Sequence, residues 1–145
     1  MREAHYEKLE RMYLQSNVNT MIFDSTSCTI SDGGAEIGLE VSEKYFHALG
    51  AIHGSVYFKM LDDAAFFAVN SIVEDAFVLT TSFNINLIRP VNSGQLTAIG
   101  KIKFRSRELF VAESTLFNDK GQEIAFGSGN FAKSKIKLSE KIGYK

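Results

Sequence analysis

Hydrophobic and polar positions along the chain change period several times, and each change marks an element. Near the N-terminus Tyr6, Leu9 and Tyr13 recur at i, i+3 and i+7 among charged neighbours. That spacing predicts a short amphipathic helix within residues 1–16, with one face to bury against a sheet. Residues 20–42 are rich in Thr, Ser, Ile and Val and are broken by the turn sequence Ser31-Asp32-Gly33-Gly34, so two strands joined there are expected. Residues 45–54 carry Gly50 and Gly54, keep no period and read as a loop.

Residues 55–73 differ in kind. Val56, Tyr57, Met60, Leu61, Ala64, Ala65, Phe67, Ala68 and Ile72 surround most of a helical cylinder. A helix apolar nearly all round is a buried one. Its polar interruptions, Lys59, Asp62, Asp63 and Asn70, fall at i, i+3, i+4 and i+11, on one narrow side that must meet water, a partner or a ligand. Only strands follow. Leu79, Phe83, Ile85 and Leu87 alternate with Val78, Thr80, Ser82 and Asn84 up to Pro90 and the turn Val91-Asn92-Ser93-Gly94. Further strands are expected from Leu96 to Arg105, over residues 109–117 and, after Asn118-Asp119-Lys120-Gly121, over 122–132, leaving 134–145 as a lysine-rich tail with little pattern.

A short helix, two strands, one buried helix and a meander predict an α+β fold, an antiparallel sheet wrapped around a central helix, in one domain spanning 1–145. One helix cannot cover five or six strands. A second copy paired edge to edge would extend the sheet across a two-fold axis and cover the exposed edge, so a homodimer is expected.

Composition narrows the class. With 45% apolar residues, 23% charged residues and a net charge of −1, the chain has a globular profile, and nucleic acid is not an expected partner. No stretch offers the ~18 uninterrupted apolar residues of a membrane span, and the charged N-terminus does not resemble a signal peptide, so a cytoplasmic protein is expected. Cys28 is the only cysteine and there are three histidines, so neither a disulfide within the chain nor a zinc spacing arises, and no metal is expected.

The candidate chemistry centres on Gly50-Ala51-Ile52-His53-Gly54-Ser55 and the helix it enters, with Asp62 and Asp63 two turns inside. A glycine at a helix start leaves backbone N–H groups unobstructed, and the helix dipole adds positive potential there, which suits an oxygen developing negative charge. The alternative for Gly54 is an ordinary tight helix entry. An aspartate on an apolar helix is costly unless paired or functional, and burial raises its pKa; the alternative is an ion pair with Lys59. A donor site for an oxyanion beside a poised carboxylate is what acyl transfer to water requires.

The run from Gly50 to Ala65 resembles the hotdog-fold thioesterases of the phenylacetate-degradation (PaaI) type, whose pattern is G-x-x-H-G-G with an aspartate nine residues after the histidine. Asp62 stands at that offset from His53. Downstream, Phe83-Asn84-Ile85-Asn86-Leu87-Ile88-Arg89-Pro90-Val91 followed by Gly94 is similar to the family's strand after the helix, and Gly121-Gln122-Glu123-Ile124-Ala125-Phe126-Gly127 also fits. The likeness covers roughly residues 35–131. It implies a hotdog fold, a dimer of dimers with active sites between protomers, an acyl-CoA or acyl-carrier substrate, and no cofactor beyond the coenzyme A moiety of the substrate. It also implies that Asp62 activates water or attacks the thioester, while the Gly54 N–H holds the thioester oxygen.

Three positions of the pattern need separate reading, two of them departures. Ser55 replaces the second glycine, keeping the N–H and suiting a helix start. His47 stands where an asparagine commonly orients water or the substrate carbonyl; histidine can donate there but titrates near neutrality. Thr80 matches a position that helps hold the water in some relatives. His53 invites a general-base role, with a hydrogen bond to loop backbone as the alternative. Asn70 would line the site or satisfy a buried contact, and Asp63 would pair with Lys59 or a neighbouring protomer. Lys101, Lys103, Arg105 and Arg107 form a period-2 basic row that would attract the phosphates of coenzyme A or simply solvate a sheet face. Two other readings accompany the thioesterase: a hotdog dehydratase acting on 3-hydroxyacyl thioesters through a histidine and an acid, and a non-catalytic acyl-thioester binder if Asp62 is locked in an ion pair.

Overall fold

The computed structural model describes residues 2–145. Two helices and six strands follow in the order α1 (Arg2–Leu14), β1 (Ser27–Ser31), β2 (Gly34–Glu40), α2 (Gly54–Asn70), β3 (Ala76–Leu87), β4 (Gln95–Arg105), β5 (Leu109–Phe117) and β6 (Glu123–Lys137). All strands form one antiparallel sheet in the order β1-β2-β4-β5-β6-β3. The sheet curls around α2, as the hydrophobic pattern predicts.

Small residues set how closely helix and sheet approach. A side chain at Gly100 on β4 would collide with the backbone of α2 at Ala64 and Ala65, so its absence lets the helix sit directly on the sheet. Met60, Leu61, Ala64, Ala65, Ala68 and Val69 are all at most 1% exposed. Burying a Leu or Met side chain of this kind contributes about 1.5–3 kcal/mol, which is why the all-round apolar helix belongs at the centre.

Two differences from the sequence reading bear on the site. The β3–β6 pairing shifts register between Thr80 and Ser82, leaving Thr81 as the extra residue of a bulge. The alternation therefore switches: Val78 and Thr80 precede the bulge on the helix side, and Phe83 and Ile85 occupy that side after it, with the Phe83 ring lying over Gly127 and Gly129. In addition, β6 runs on to Lys137 because its far end pairs with the start of β3 at Ala76, and a last helical turn, Glu140–Ile142, folds back toward α1. The period-2 run Lys135-Ile136-Lys137-Leu138 is the one signal of this extension in the sequence.

The two sheet edges differ. The β1 edge is five residues long and lies against α1. The β3 edge is twelve residues long, pairs only with β6 among the described residues, and leaves Leu79 and Leu87 about half exposed, with Ile88 just beyond. Long uncovered edges of this kind are ready to pair with another strand.

Candidate active site

Asp62 lies on the side of α2 that faces β3. Its Oδ1 accepts a hydrogen bond of 2.9 Å from the Thr80 hydroxyl, a contact that the bulge at Thr81 makes possible by keeping Thr80 on the helix side. Burial pushes the Asp62 carboxyl up to about 6, the Thr80 hydrogen bond and Lys59 pulling against that rise and the neighbouring Asp63 adding to it. No cation pairs with Asp62 among the described residues.

Asp63, one residue on and about 100° around the helix, is held quite differently. Its Oδ2 accepts from Lys59 Nζ at 2.7 Å and from the Tyr13 hydroxyl at 2.6 Å. Lys59 donates further to Asn19 Oδ1 and to the Tyr13 oxygen, and lies over the Tyr13 and Phe23 rings. Burial and the adjoining Asp63 hold the Tyr13 phenol protonated, far above its ordinary range. The two adjacent aspartates thus differ in partners: both line one cavity, but Asp63 is ion-paired with Lys59 and Asp62 is held only by Thr80.

That cavity has a volume of about 670 Å³ and opens beside Asp62 and Thr80 between α1, α2 and β3. Its walls are mostly apolar, with Phe66, Phe67 and Phe77 from the core side and Met12 and Tyr13 from α1. The part played by α1 was not foreseeable from sequence. Tyr6, Leu9 and Tyr13 mark a buried face, but nothing in their spacing says that Tyr13 reaches Asp63.

The helix start is built separately. His53 is the N-cap of α2, its Nδ1 accepting from the Ser55 N–H at 3.0 Å. The cap uses only Nδ1, and His53 does not line the cavity beside Asp62. The Gly54 N–H, in the first turn, has no acceptor among the described residues. Near it stands His47, whose Nδ1 accepts from Leu49 N–H in a turn closed by Gly50 at φ 81°. A smaller cavity of about 260 Å³ brings His47 and Gly54 together with Tyr57 and the 87–90 segment. Gly54 and Asp62 are eight residues apart on one helix, roughly 12 Å along its axis at about 1.5 Å per residue. They line different cavities of the same protomer.

A family model described as the thioesterase superfamily matches residues 49–125, just over half of the chain. The chain belongs to the thioesterase superfamily. The matched stretch of this superfamily member runs from the His53-Gly54 entry through Asp62 and Thr80 to β6. Solved structures agree on the hotdog fold. The PaaI protein of the E. coli phenylacetic acid degradation operon superposes with a TM-score of 0.84 at 16% identity, covering 95% of this chain and 99% of that one. A Haemophilus influenzae thioesterase does so at 0.78 and 18% identity, covering 89% and 90%. A conserved Pseudomonas aeruginosa protein gives 0.78 at 23% identity, covering 86% and 98%. A comparison with curated protein sequences finds no match.

Within this thioesterase-superfamily fold, two sequence expectations are corrected. Asn70 is fully buried, and its amide donates to Val73 O and Ala76 O while Oδ1 accepts from Val78 N–H. It splices α2 to β3 and has no donor left for a substrate. The basic row is also broken, because the β4–β5 pairing shifts at Lys103 and turns the strand over. Lys101 faces Glu113 at 3.6 Å, whereas Arg105 lines a shallow cleft with Ile72, Arg107 and Lys133 beyond the far end of α2. Among the described residues no helix is long and apolar enough to cross a membrane.

Proposed function

We propose that the protein hydrolyses the thioester linking an acyl group to coenzyme A or an acyl carrier, with Asp62 as the carboxylate that does the chemistry. The observation carrying this reading is the contrast between the two aspartates. On the wall of one apolar cavity, Asp63 is neutralised by Lys59 and Tyr13, while Asp62 keeps one oxygen on Thr80, pairs with no cation among the described residues and has a raised pKa. A binder that had lost turnover would show Asp62 in the ion pair, and it is Asp63 that occupies it.

In the proposed reaction a water oxygen attacks the thioester carbon as its proton passes to Asp62. The carbonyl oxygen becomes an oxyanion, held by the Gly54 N–H at the positive end of α2. The carbon–sulfur bond then breaks, the thiolate takes the proton back from Asp62, and acid and thiol leave. Direct attack by the Asp62 carboxylate, through an anhydride that water then opens, fits the same placement. No cofactor enters either route.

One carbonyl cannot touch Gly54 and Asp62 of the same protomer across ~12 Å. The complete site therefore takes its Gly54 and His47 from one copy and its Asp62 and Thr80 from another, and the uncovered β3 edge is where two copies would join as a homodimer. Ser55 contributes its N–H to the helix entry rather than to substrate.

The test uses the adjacent aspartates as each other's control. A positioned base or nucleophile typically contributes a factor of roughly 10²–10⁴, so Asp62→Asn should lose at least about two orders of magnitude in kcat with acyl-CoA substrates and a thiol reagent. Asp63→Asn should chiefly lower the melting temperature, since it leaves Lys59 half-buried without its partner. A dead Asp63→Asn beside a fully active Asp62→Asn would overturn the assignment.

A further inference from the structure

We infer that Asn19 and Tyr13 are positioning residues for Asp62: with Asp63 they take up every N–H of Lys59, so that the one cation lining the cavity, among the described residues, stays off that carboxylate. The inference rests on the reading of Asp62 as the carboxylate that does the chemistry.

On α2 alone the choice of partner is open. Lys59 precedes Asp62 by three residues and Asp63 by four, and both spacings bring a lysine within reach of a carboxylate on a helix surface. What decides lies outside the helix. An ammonium has three N–H donors and no acceptor. One goes to Asp63 Oδ2 at 2.7 Å, one to Asn19 Oδ1 at 2.9 Å and one to the Tyr13 hydroxyl oxygen at 3.1 Å, which leaves none for Asp62. The Tyr13 and Phe23 rings attract the same ammonium, at 5.0 and 4.7 Å from their centroids.

Both outside acceptors are themselves fixed. Asn19 sits in the turn Val18–Ile22 after α1 and is 3% exposed. Its Nδ2 donates to Tyr13 O at 2.8 Å, and since a carbonyl can only accept, the amide is oriented with Oδ1 toward the ammonium. The Tyr13 O–H is spent on Asp63 at 2.6 Å, which leaves a lone pair for Lys59. Nothing comparable draws Lys59 toward Asp62, whose hydrogen bond comes from Thr80 on β3.

Few charged or titratable groups surround Asp62. Lys59 and Asp63 come from α2 and Tyr13 from α1, while β3, β6 and the last helical turn bring only Phe77, Leu79, Thr80, Ile136 and Ile142. In the proposed two-copy site His47 of the second copy joins them. A lysine swung across to Asp62 would favour the charged carboxylate and pull down a titration that burial now holds up.

Asn19→Leu keeps the branched shape, removes one acceptor and frees one N–H of Lys59. The acid limb of log kcat/KM should then move down by about one pH unit or more, the usual effect of an opposite charge brought beside an aspartate. Adding Lys59→Met should return the limb to the parental position or above it. His47 is common to every variant, so differences between them do not come from it. An unmoved limb in a folded Asn19→Leu protein overturns the inference, and so does a fall that persists without Lys59. If Asn19→Leu does not fold, Tyr13→Phe keeps the ring and deletes the other acceptor; its limb should fall in the same direction, and an unmoved one again overturns the inference. Carbon NMR of protein labelled at its aspartate carboxyls, with the Asp62 signal assigned by its loss in Asp62→Asn, reads the same titration without turnover. A titration that moves as expected in a protein releasing no thiol from acyl-CoAs keeps the positioning role and sinks the thioesterase reading instead.

Discussion

At the scale of single residues, Asp62 links pH to activity and to stability with opposite signs. A carboxyl pushed up to about 6 by burial is mostly charged only above that pH, so log kcat/KM should rise through about pH 6 with a slope near one. A flat profile between pH 4.5 and 8 would count against Asp62 as the base. For folding, a pKa above the ordinary 3.8 means that the folded state holds more protons than the unfolded chain between those values. The associated stability is fully present below about 3.8 and is lost as pH rises through about 6. Asp62→Asn, neutral and nearly isosteric, should therefore be more stable than the parent at pH 7. A gain of about 1 kcal/mol is expected, below the full ~1.36 kcal/mol per unit because the carboxylate keeps some water. The gain should vanish near pH 4 in denaturant titrations. Asp62 was legible in the sequence because a carboxylate on an apolar helix is conspicuous and the nine-residue offset from His53 is specific. The direction of Asn70 was not, since a buried amide and a site-lining amide look alike until the α2–β3 connection is seen to use every one of its hydrogen bonds.

At the scale of elements, the start of α2 offers an unusually clean substitution. Proline suits the first helical position because the N–H it lacks is unpaired there anyway, and the preceding residue must be extended. His53 already is, at φ −66° and ψ 147°. Gly54→Pro should accordingly leave the fold and its circular dichroism intact while deleting the one donor hydrogen proposed for the oxyanion. Loss of a single such donor costs roughly 10²–10³ in kcat, and full activity in the variant would remove Gly54 from the mechanism. The elements themselves were largely readable, from the apolar cylinder of α2 to the hairpin turns. What escaped was every feature that depends on pairing rather than on period. The bulges at Thr81 and Lys103 reverse a strand's faces without altering its sequence pattern, so Thr80 gained a partner in Asp62 and the basic row lost its common face.

At the scale of the whole molecule, the proposed site is divided between copies, and mixing two inactive variants tests that division directly. In a dimer of one Asp62→Asn and one Gly54→Pro protomer, one site inherits both defects and the other inherits neither. Mixed and re-annealed populations should regain up to about a quarter of parental activity if subunits mix at random, from individually inactive stocks. No recovery, with mixed dimers verified by mass, would mean that each chain completes its own site. The sequence pointed toward a dimer through one helix facing too many strands; the structure adds that the glycine and the carboxylate, ~12 Å apart along α2, open onto different cavities of one protomer.

A centre assembled from halves exists only while the halves are together, and that gives the gap along α2 a kinetic meaning. In the proposed reading, catalytic power is a property of the association equilibrium, so specific activity should decline on dilution toward the dimer dissociation constant. A substrate that touches both halves draws them together by mass action. Near that concentration the enzyme would be recruited by what it consumes, and its rate would climb more steeply than in proportion to substrate, cooperativity without any change in the shape of either subunit.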